Sequence, residues 1–185
     1  MIIIEKKKLE RNIFRKLRDK NSFNQRENVK KNVKLYIDRL ANENNNIGFI
    51  VIYWPLKNEV DLRSLKSNYS LALPRCNEKK ELLFYPWDEK PLTKDYEGIL
   101  SPDGPFSLGY NQISMIFIPC LSVDKNFIRL GYGGGYFDRL REDKNWSNVP
   151  CIGILNSNCV SKIPLARAEW DIPLSGFITE KEISV

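Results

Sequence analysis

Two different spacings of apolar residues divide this chain. Leu9, Ile13 and Leu17 recur at helical intervals between Glu5 and Lys20, and Val29, Val33, Tyr36, Ile37 and Leu40 do so between Phe23 and Ala41, which predicts two amphipathic helices. Ser22 followed by Gln25 reads as a capping box opening the second helix. Beyond residue 46 the apolar positions gather in short runs: Ile47 to Tyr53, Leu71 to Leu73, Glu81 to Tyr85, Ile113 to Pro119 and Val149 to Leu155. Runs of that length suit strands buried on both faces. Val60 to Lys66 predicts a helical turn and Tyr136 to Arg141 a further helix, while the Pro- and Gly-containing stretch from Pro86 to Gly109 reads as a long surface excursion. The alternation predicts an α/β fold: an open, mainly parallel sheet with helices on both faces, a Rossmann-like three-layer arrangement, behind two basic N-terminal helices. Residues 1–185 are expected to form one domain.

Charge sharpens this division. Residues 1 to 46 hold 13 Lys and Arg against 6 Asp and Glu, whereas residues 47 to 185 hold 16 against 17, so the whole net charge of +6 originates in the two helices. A basic helical pair would suit nucleic acid, yet no aromatic residues interleave with the lysines to stack bases, and a solvated charged face covering the sheet is the reading preferred here. No nucleic-acid or membrane partner is expected; no apolar run approaches the length that spans a bilayer. Four cysteines without C-x-x-C spacing indicate neither a zinc site nor a redox pair, and a monomeric cytoplasmic protein is expected. There is no histidine at all. Ser–His and Cys–His nucleophilic machinery is thereby excluded, leaving carboxylates, Lys, Arg and backbone for any chemistry, an inventory suited to phosphoryl transfer with magnesium.

The densest chemical signal is Arg129-Leu130-Gly131-Tyr132-Gly133-Gly134-Gly135-Tyr136-Phe137-Asp138-Arg139, placed between the run at Ile113 to Pro119 and the helix predicted from Tyr136. Bare backbone entering a helix N-terminus can approach an anion closely and point N–H groups at it. Arg129 and Arg139 can pair with phosphate oxygens, and Asp138 can hold a divalent cation between them. The segment lacks the Gly-Lys-Ser/Thr ending of a Walker loop and the later acid of a dinucleotide fingerprint.

This motif, Arg-Leu-Gly-x-Gly-x-Gly-Tyr-Phe-Asp, resembles the signature of the 5-formyltetrahydrofolate cyclo-ligase (methenyltetrahydrofolate synthetase) family, and the likeness extends through most of the chain. The resemblance implies an ATP- and Mg2+-dependent ligase that converts 5-formyltetrahydrofolate to 5,10-methenyltetrahydrofolate with release of ADP and phosphate. It implies that residues 129 to 137 bind ATP together with a helix-borne lysine. Lys6 is the first choice for that lysine, with Lys7 and Lys8 as register alternatives; Leu9 and Glu10 complete the segment, and Glu10 stands where the family has arginine, so either Arg11 takes over or the contact is absent. Lys6, Arg129 and Tyr136 are the implied catalytic residues. In Tyr53-Trp54-Pro55-Leu56-Lys57-Asn58-Glu59, the resemblance makes Glu59 the pterin-binding carboxylate and Trp54 its packing wall. In Ile163 to Pro173 it makes Asp171 the partner of Asp138 in the magnesium site. Ser101 replaces a common acid and Phe137 a common Tyr, which removes a hydroxyl. Two rival readings are another phosphate-binding α/β enzyme with a different substrate and a basic nucleic-acid-binding module. Arg129→Ala and Asp138→Ala are expected to cost turnover with little loss of folding.

Overall fold

The structure is a computed structural model that describes residues 2–43, 47–88 and 90–185. Helices α1 (Ile3–Asp19) and α2 (Phe23–Glu43) lead into a seven-stranded sheet of β1 (Phe49–Val51), β2 (Leu71–Cys76), β3 (Leu82–Pro86), β4 (Ile113–Pro119), β5 (Cys151–Ile154), β6 (Gly176–Ile178) and β7 (Ile183–Ser184), with α3 (Tyr136–Glu142) and α4 (Lys144–Ser147) between β4 and β5. The strand order is β7-β6-β5-β4-β1-β2-β3. The four central pairings are parallel, and β3 and β7 close the two edges antiparallel. The sheet is thus mainly parallel, as expected, with antiparallel edges; β7 has too few apolar residues to be read from sequence.

Apolar residues on the two sheet faces explain the layers. One core gathers Val29, Val33 and Ile37 of α2 with Ile50, Ile52, Leu73, Met115, Phe117 and Ile152. The other joins Val51, Ile116, Ile118 and Cys151 to Phe137 and Leu140 of α3, Trp146 of α4 and Phe14 and Leu17 of α1. Helices therefore cover both faces, as the buried strand runs require. The α2 capping box closes as expected, with Ser22 N–H donating to Gln25 Oε1 at 2.9 Å and Gln25 N–H to Ser22 Oγ at 3.2 Å. Along α2, Lys30, Lys34 and Arg39 pair with Glu27, Asp38 and Glu43.

The first helix departs from its apolar pattern. Leu9 and Ile13 are 55% and 56% exposed, and no residue of α1 is fully buried. The face turned to the protein instead carries Lys7, Arg11, Phe14 and Arg18, the same helical spacing shifted onto cations. A helix with that inner face is placed by what its charges meet.

Beta-sheet order also creates the place for a ligand. The chain leaves β1 toward β2 on one side, while β4 lies on the other side of β1, so a crevice opens beyond the carboxyl ends of β1 and β4. The excursion after β3 carries a two-stranded ribbon, Thr93–Lys94 with Leu100–Ser101. Buried Ser101, where the acid was expected, accepts a hydrogen bond from Arg75 at 3.0 Å. A second ribbon, Ser122–Val123 with Arg129–Leu130, follows β4 and delivers the chain to α3. The glycines thus enter their helix from this ribbon, not from β4 itself.

Candidate functional site

The turn between Leu130 and α3 is built by its glycines. Gly133 and Gly135 have φ of 108° and 71°, conformations that L-residues with a Cβ rarely adopt, and Gly135 serves as the N-cap of α3. At Gly131 the constraint is space: a Cβ there would lie 2.6 Å from Arg129 Nη1. The bare turn forms one wall of a cavity of about 490 Å³ over the strand-end crevice. That volume falls within the range of small-molecule sites.

Cations collect at the glycine end. The Arg129 side chain is only 10% exposed, and its Nη2 donates to Asp138 Oδ1 at 2.7 Å. Burial works against the Arg129 charge, but the Asp138 carboxylate together with Cys120 and Cys151 outweighs it, and the guanidinium is held even more firmly protonated. From α1, Lys7 reaches Asp171 Oδ2 at 2.5 Å and Arg11 Nε donates to the carbonyl of Gly131 at 3.0 Å. Lys7, Arg11 and Arg129 all line the cavity. Lys6 and Lys8 are exposed and lie outside the lining, as does Leu9. The register of α1 thus turns Lys7 and Arg11, four positions apart, to the cavity and leaves the first-choice Lys6 and the alternative Lys8 off its wall. Glu10 also stays outside, since both its oxygens accept the Ala166 N–H at 3.2 Å. Arg139 turns back to the carbonyl of Gly134 at 3.0 Å and is not part of the lining.

Tyr136 lines the cavity from the first turn of α3, and its hydroxyl donates to Glu97. That hydrogen bond, assisted by partial burial, pushes the phenol pKa well above its ordinary value. Phe137 also lines the cavity, beneath the Arg129 guanidinium at 5.6 Å from the ring centre. Asp138 and Asp171 both face the space. Asp138 spends Oδ1 on Arg129, and Asp171 spends Oδ2 on Lys7 and on the Ala168 N–H, so each carboxylate has a second oxygen outside these bonds. Among the described residues no group of three or more carboxylate or thiol side chains converges as a metal cage. Two carboxylates beside an anion cradle are nonetheless the donor set that magnesium uses when phosphate and water complete its shell.

A second group of lining residues combines an indole with a carboxylate. Trp54, just past β1, packs edge-on to Trp87 at 6.1 Å, and Arg63 stacks 4.6 Å from its ring centre. Glu59 follows on the same turn and accepts the Leu56 N–H through Oε2 at 2.7 Å. Its Oε1 is buried and makes no hydrogen bond among the described residues. Burial raises the Glu59 pKa, opposed in part by the adjacent Tyr132 hydroxyl, the Leu56 N–H and the Arg18 charge. An unpartnered buried acceptor beside an indole wall is shaped for a ligand that brings its own N–H donors.

Sequence reasoning missed several lining residues. Asp95 and Glu97 come from the surface excursion, Cys76 and Pro74 from β2, and Ile4 and Trp170 from segments flanking the mouth. Trp170 stands beside Asp171, and a 60% exposed indole next to a site carboxylate was the one local signal available. The others are assembled only by tertiary contact.

A mixed α/β sheet thus carries a glycine turn, three cations and an indole on the wall of one cavity. Comparison with known proteins gives the particular family. A family model described as the 5-formyltetrahydrofolate cyclo-ligase family matches residues 3–180. A 5-formyltetrahydrofolate cyclo-ligase of Haemophilus influenzae is 29% identical over 136 residues, spanning 68% of this chain and 72% of that one. That of Escherichia coli is 30% identical over 77 residues, 41% of each chain. The solved 5,10-methenyltetrahydrofolate synthetase of Aquifex aeolicus matches with a TM-score of 0.77 at 26% identity, covering 96% of this chain and 91% of that one. That of Mycoplasma pneumoniae gives 0.69 at 24% identity over 94% and 98%, a likeness that bears on the fold. The chain belongs to the 5-formyltetrahydrofolate cyclo-ligase family.

Proposed function

We propose that this protein closes the ring of 5-formyltetrahydrofolate to 5,10-methenyltetrahydrofolate at the expense of ATP, in the 490 Å³ cavity. The observation that carries the reading is one cavity lined both by a glycine turn with Lys7, Arg11 and Arg129 and by Trp54 and Glu59 with its unpartnered Oε1. The formyl oxygen attacks the γ-phosphorus and ADP leaves; nitrogen 10 then attacks the formyl carbon, and the phosphate departs with the former formyl oxygen. Little of this is covalent work for the protein, so positioning and charge neutralisation dominate.

Each residue has a part in that division. Backbone N–H groups from Gly131 to Gly135 and the cations of Lys7, Arg11 and Arg129 hold the triphosphate against its own charge. Tyr136, its single O–H proton given to Glu97, borders the phosphates as a neutral phenol. Glu59 accepts the pterin N–H pair, and Trp54 covers one ring face, which fixes the formyl oxygen in line. Asp138 and Asp171 are the residues that would hold Mg2+, which supplies charge neutralisation of the phosphates when bound. The protein is read as a monomer of one domain, and four free buried thiols suit the reducing cytoplasm.

The test is spectrophotometric. Purified protein given 5-formyltetrahydrofolate should develop the methenyl absorbance only with both ATP and magnesium, and release one ADP per product. No signal at high protein concentration would overturn the reading, and ATP turnover with other formylated or carboxylated substrates would replace it.

A further inference from the structure

Glu59 is held by more than the turn that carries it. Arg18, in the last turn of α1, donates Nη1 to the Tyr132 hydroxyl at 3.0 Å and lies 5.6 Å from that ring centre. Its Nε and Nη2 go to Asp19 Oδ1 at 3.2 and 3.1 Å, and the same oxygen accepts Asn58 Nδ2 at 2.9 Å. Asn58 precedes Glu59 with a left-handed φ of 67°, so the turn that aims the carboxylate is clasped from outside by α1. From inside, the Tyr132 hydroxyl stands against the carboxylate, although Oε1 remains without a hydrogen bond. Behind lies a space of about 10 Å³ bounded by Arg18, Tyr53, Asn58, Glu59 and Tyr132, close to the volume of one water.

We propose that Arg18 and Tyr132 are positioning residues of the folate site, which through their mutual hydrogen bond and the Asp19–Asn58 clasp hold Glu59 as an ionised acceptor for the ring N–H groups. The proposal rests on the pterin assignment made above. An ionised carboxylate offers two acceptors to an aminopyrimidinone edge, whereas the neutral acid sets its own O–H against one of the ring donors. Burial favours the neutral acid, so something must oppose it. The titratable and charged groups facing Glu59 are Arg18 from α1, Tyr132 from the glycine turn, Tyr53 beyond β1 and Cys120 beyond β4. The Tyr53 hydroxyl donates to the Val60 carbonyl at 2.9 Å, and burial pushes the Cys120 thiol up to about 12. Arg18 is therefore the one cation of the four. Because Tyr132 also belongs to the glycine turn, a ligand that settles the turn settles the wall of the folate slot as well.

Calorimetric binding of 5-formyltetrahydrofolate, without nucleotide and from about pH 5.5 to about pH 8.5, tests this on the whole chain. Arg18→Met should bind about tenfold more weakly than wild type for each unit by which the Glu59 pKa rises, the deficit growing as pH falls and closing as it rises. Arg18→Lys should recover most of the loss and Tyr132→Phe should show a smaller shift in the same direction, while kcat of the Arg18 variants at saturating folate should change by no more than about twofold. A deficit in Arg18→Met that is the same at every pH, or no deficit while Glu59→Gln binds poorly, overturns the proposal alone. Wild-type binding by Glu59→Gln removes the ring from Glu59 and overturns the proposal together with the assignment beneath it.

Discussion

Lys7 Nζ lies 2.5 Å from Asp171 Oδ2, joining the start of α1 to the loop before β6 across 164 positions of sequence. The contact brings a cation and a carboxylate, each expected to serve the phosphates, to one wall of the cavity. It also fixes the helical register that sets Arg11 against Gly131.

The register yields a first prediction. Lys7→Met should lower kcat/KM for ATP by about 10²-fold, as expected for loss of a preorganised charge at the transferring phosphoryl group. Lys6→Met, one position round the helix and exposed, should change it by no more than about twofold. Steady-state kinetics at fixed folate decides between them, and equal losses would reject the assignment to Lys7.

Arg129 and Asp138 give a second. The Arg129 side chain is only 10% exposed, so truncating Asp138 leaves a buried guanidinium without its counter-charge. Breaking such a pair costs roughly 2 kcal/mol or more, against the earlier expectation of intact folding. Asp138→Ala should therefore melt several degrees lower as well as lose turnover, at roughly 2 to 4 °C per kcal/mol in a chain of this size. Thermal unfolding followed by circular dichroism measures the first effect separately from activity.

Gly131→Ala isolates crowding from backbone strain. The backbone here does not require a positive φ, and the added Cβ would meet the Arg129 guanidinium at 2.6 Å. Displacing that group by even a fraction of an ångström should raise KM for ATP or lower kcat roughly 10- to 100-fold. The melting temperature should fall far less than for Asp138→Ala, and unchanged kinetics would contradict the tight fit.

Glu59 trades stability for recognition, which pH exposes. Its pKa in the folded protein is raised, chiefly by burial, so the folded state retains the proton to higher pH than the unfolded chain. Stability from this group is fully present below the unfolded pKa and is lost as pH rises through the folded one. Glu59→Gln should therefore melt higher than wild type at neutral pH, with the gap narrowing as pH falls toward 4, a value near the ordinary glutamate pKa of about 4.3. The same variant should bind 5-formyltetrahydrofolate poorly. Scanning calorimetry across pH, with a gap that fails to narrow, would refute the burial account.

Much of the architecture was legible because it is local. The buried strand runs, the helical spacing and capping box of α2, and the glycine turn are each written in consecutive residues whose backbone preferences and apolar period act over a few positions. The family signature, being contiguous, was legible for the same reason. What could not be read were the relations between distant segments. Apolar spacing pointed Leu9 and Ile13 inward, yet α1 turns its cationic face to the protein because Asp171, the Gly131 carbonyl and Tyr132 await it there. Sequence alone determined which side chains were available: no histidine, a surplus of amino-terminal cations, a bare-backbone turn and an acid after an indole. Tertiary structure decided which of them meet, bringing Lys7 rather than Lys6 to the cavity wall, pairing Arg129 with Asp138 and leaving Oε1 of Glu59 unpartnered. Charge and hydrogen bonding act through space over a few ångströms, and only the folded sheet order brings residues separated by most of the chain within that range.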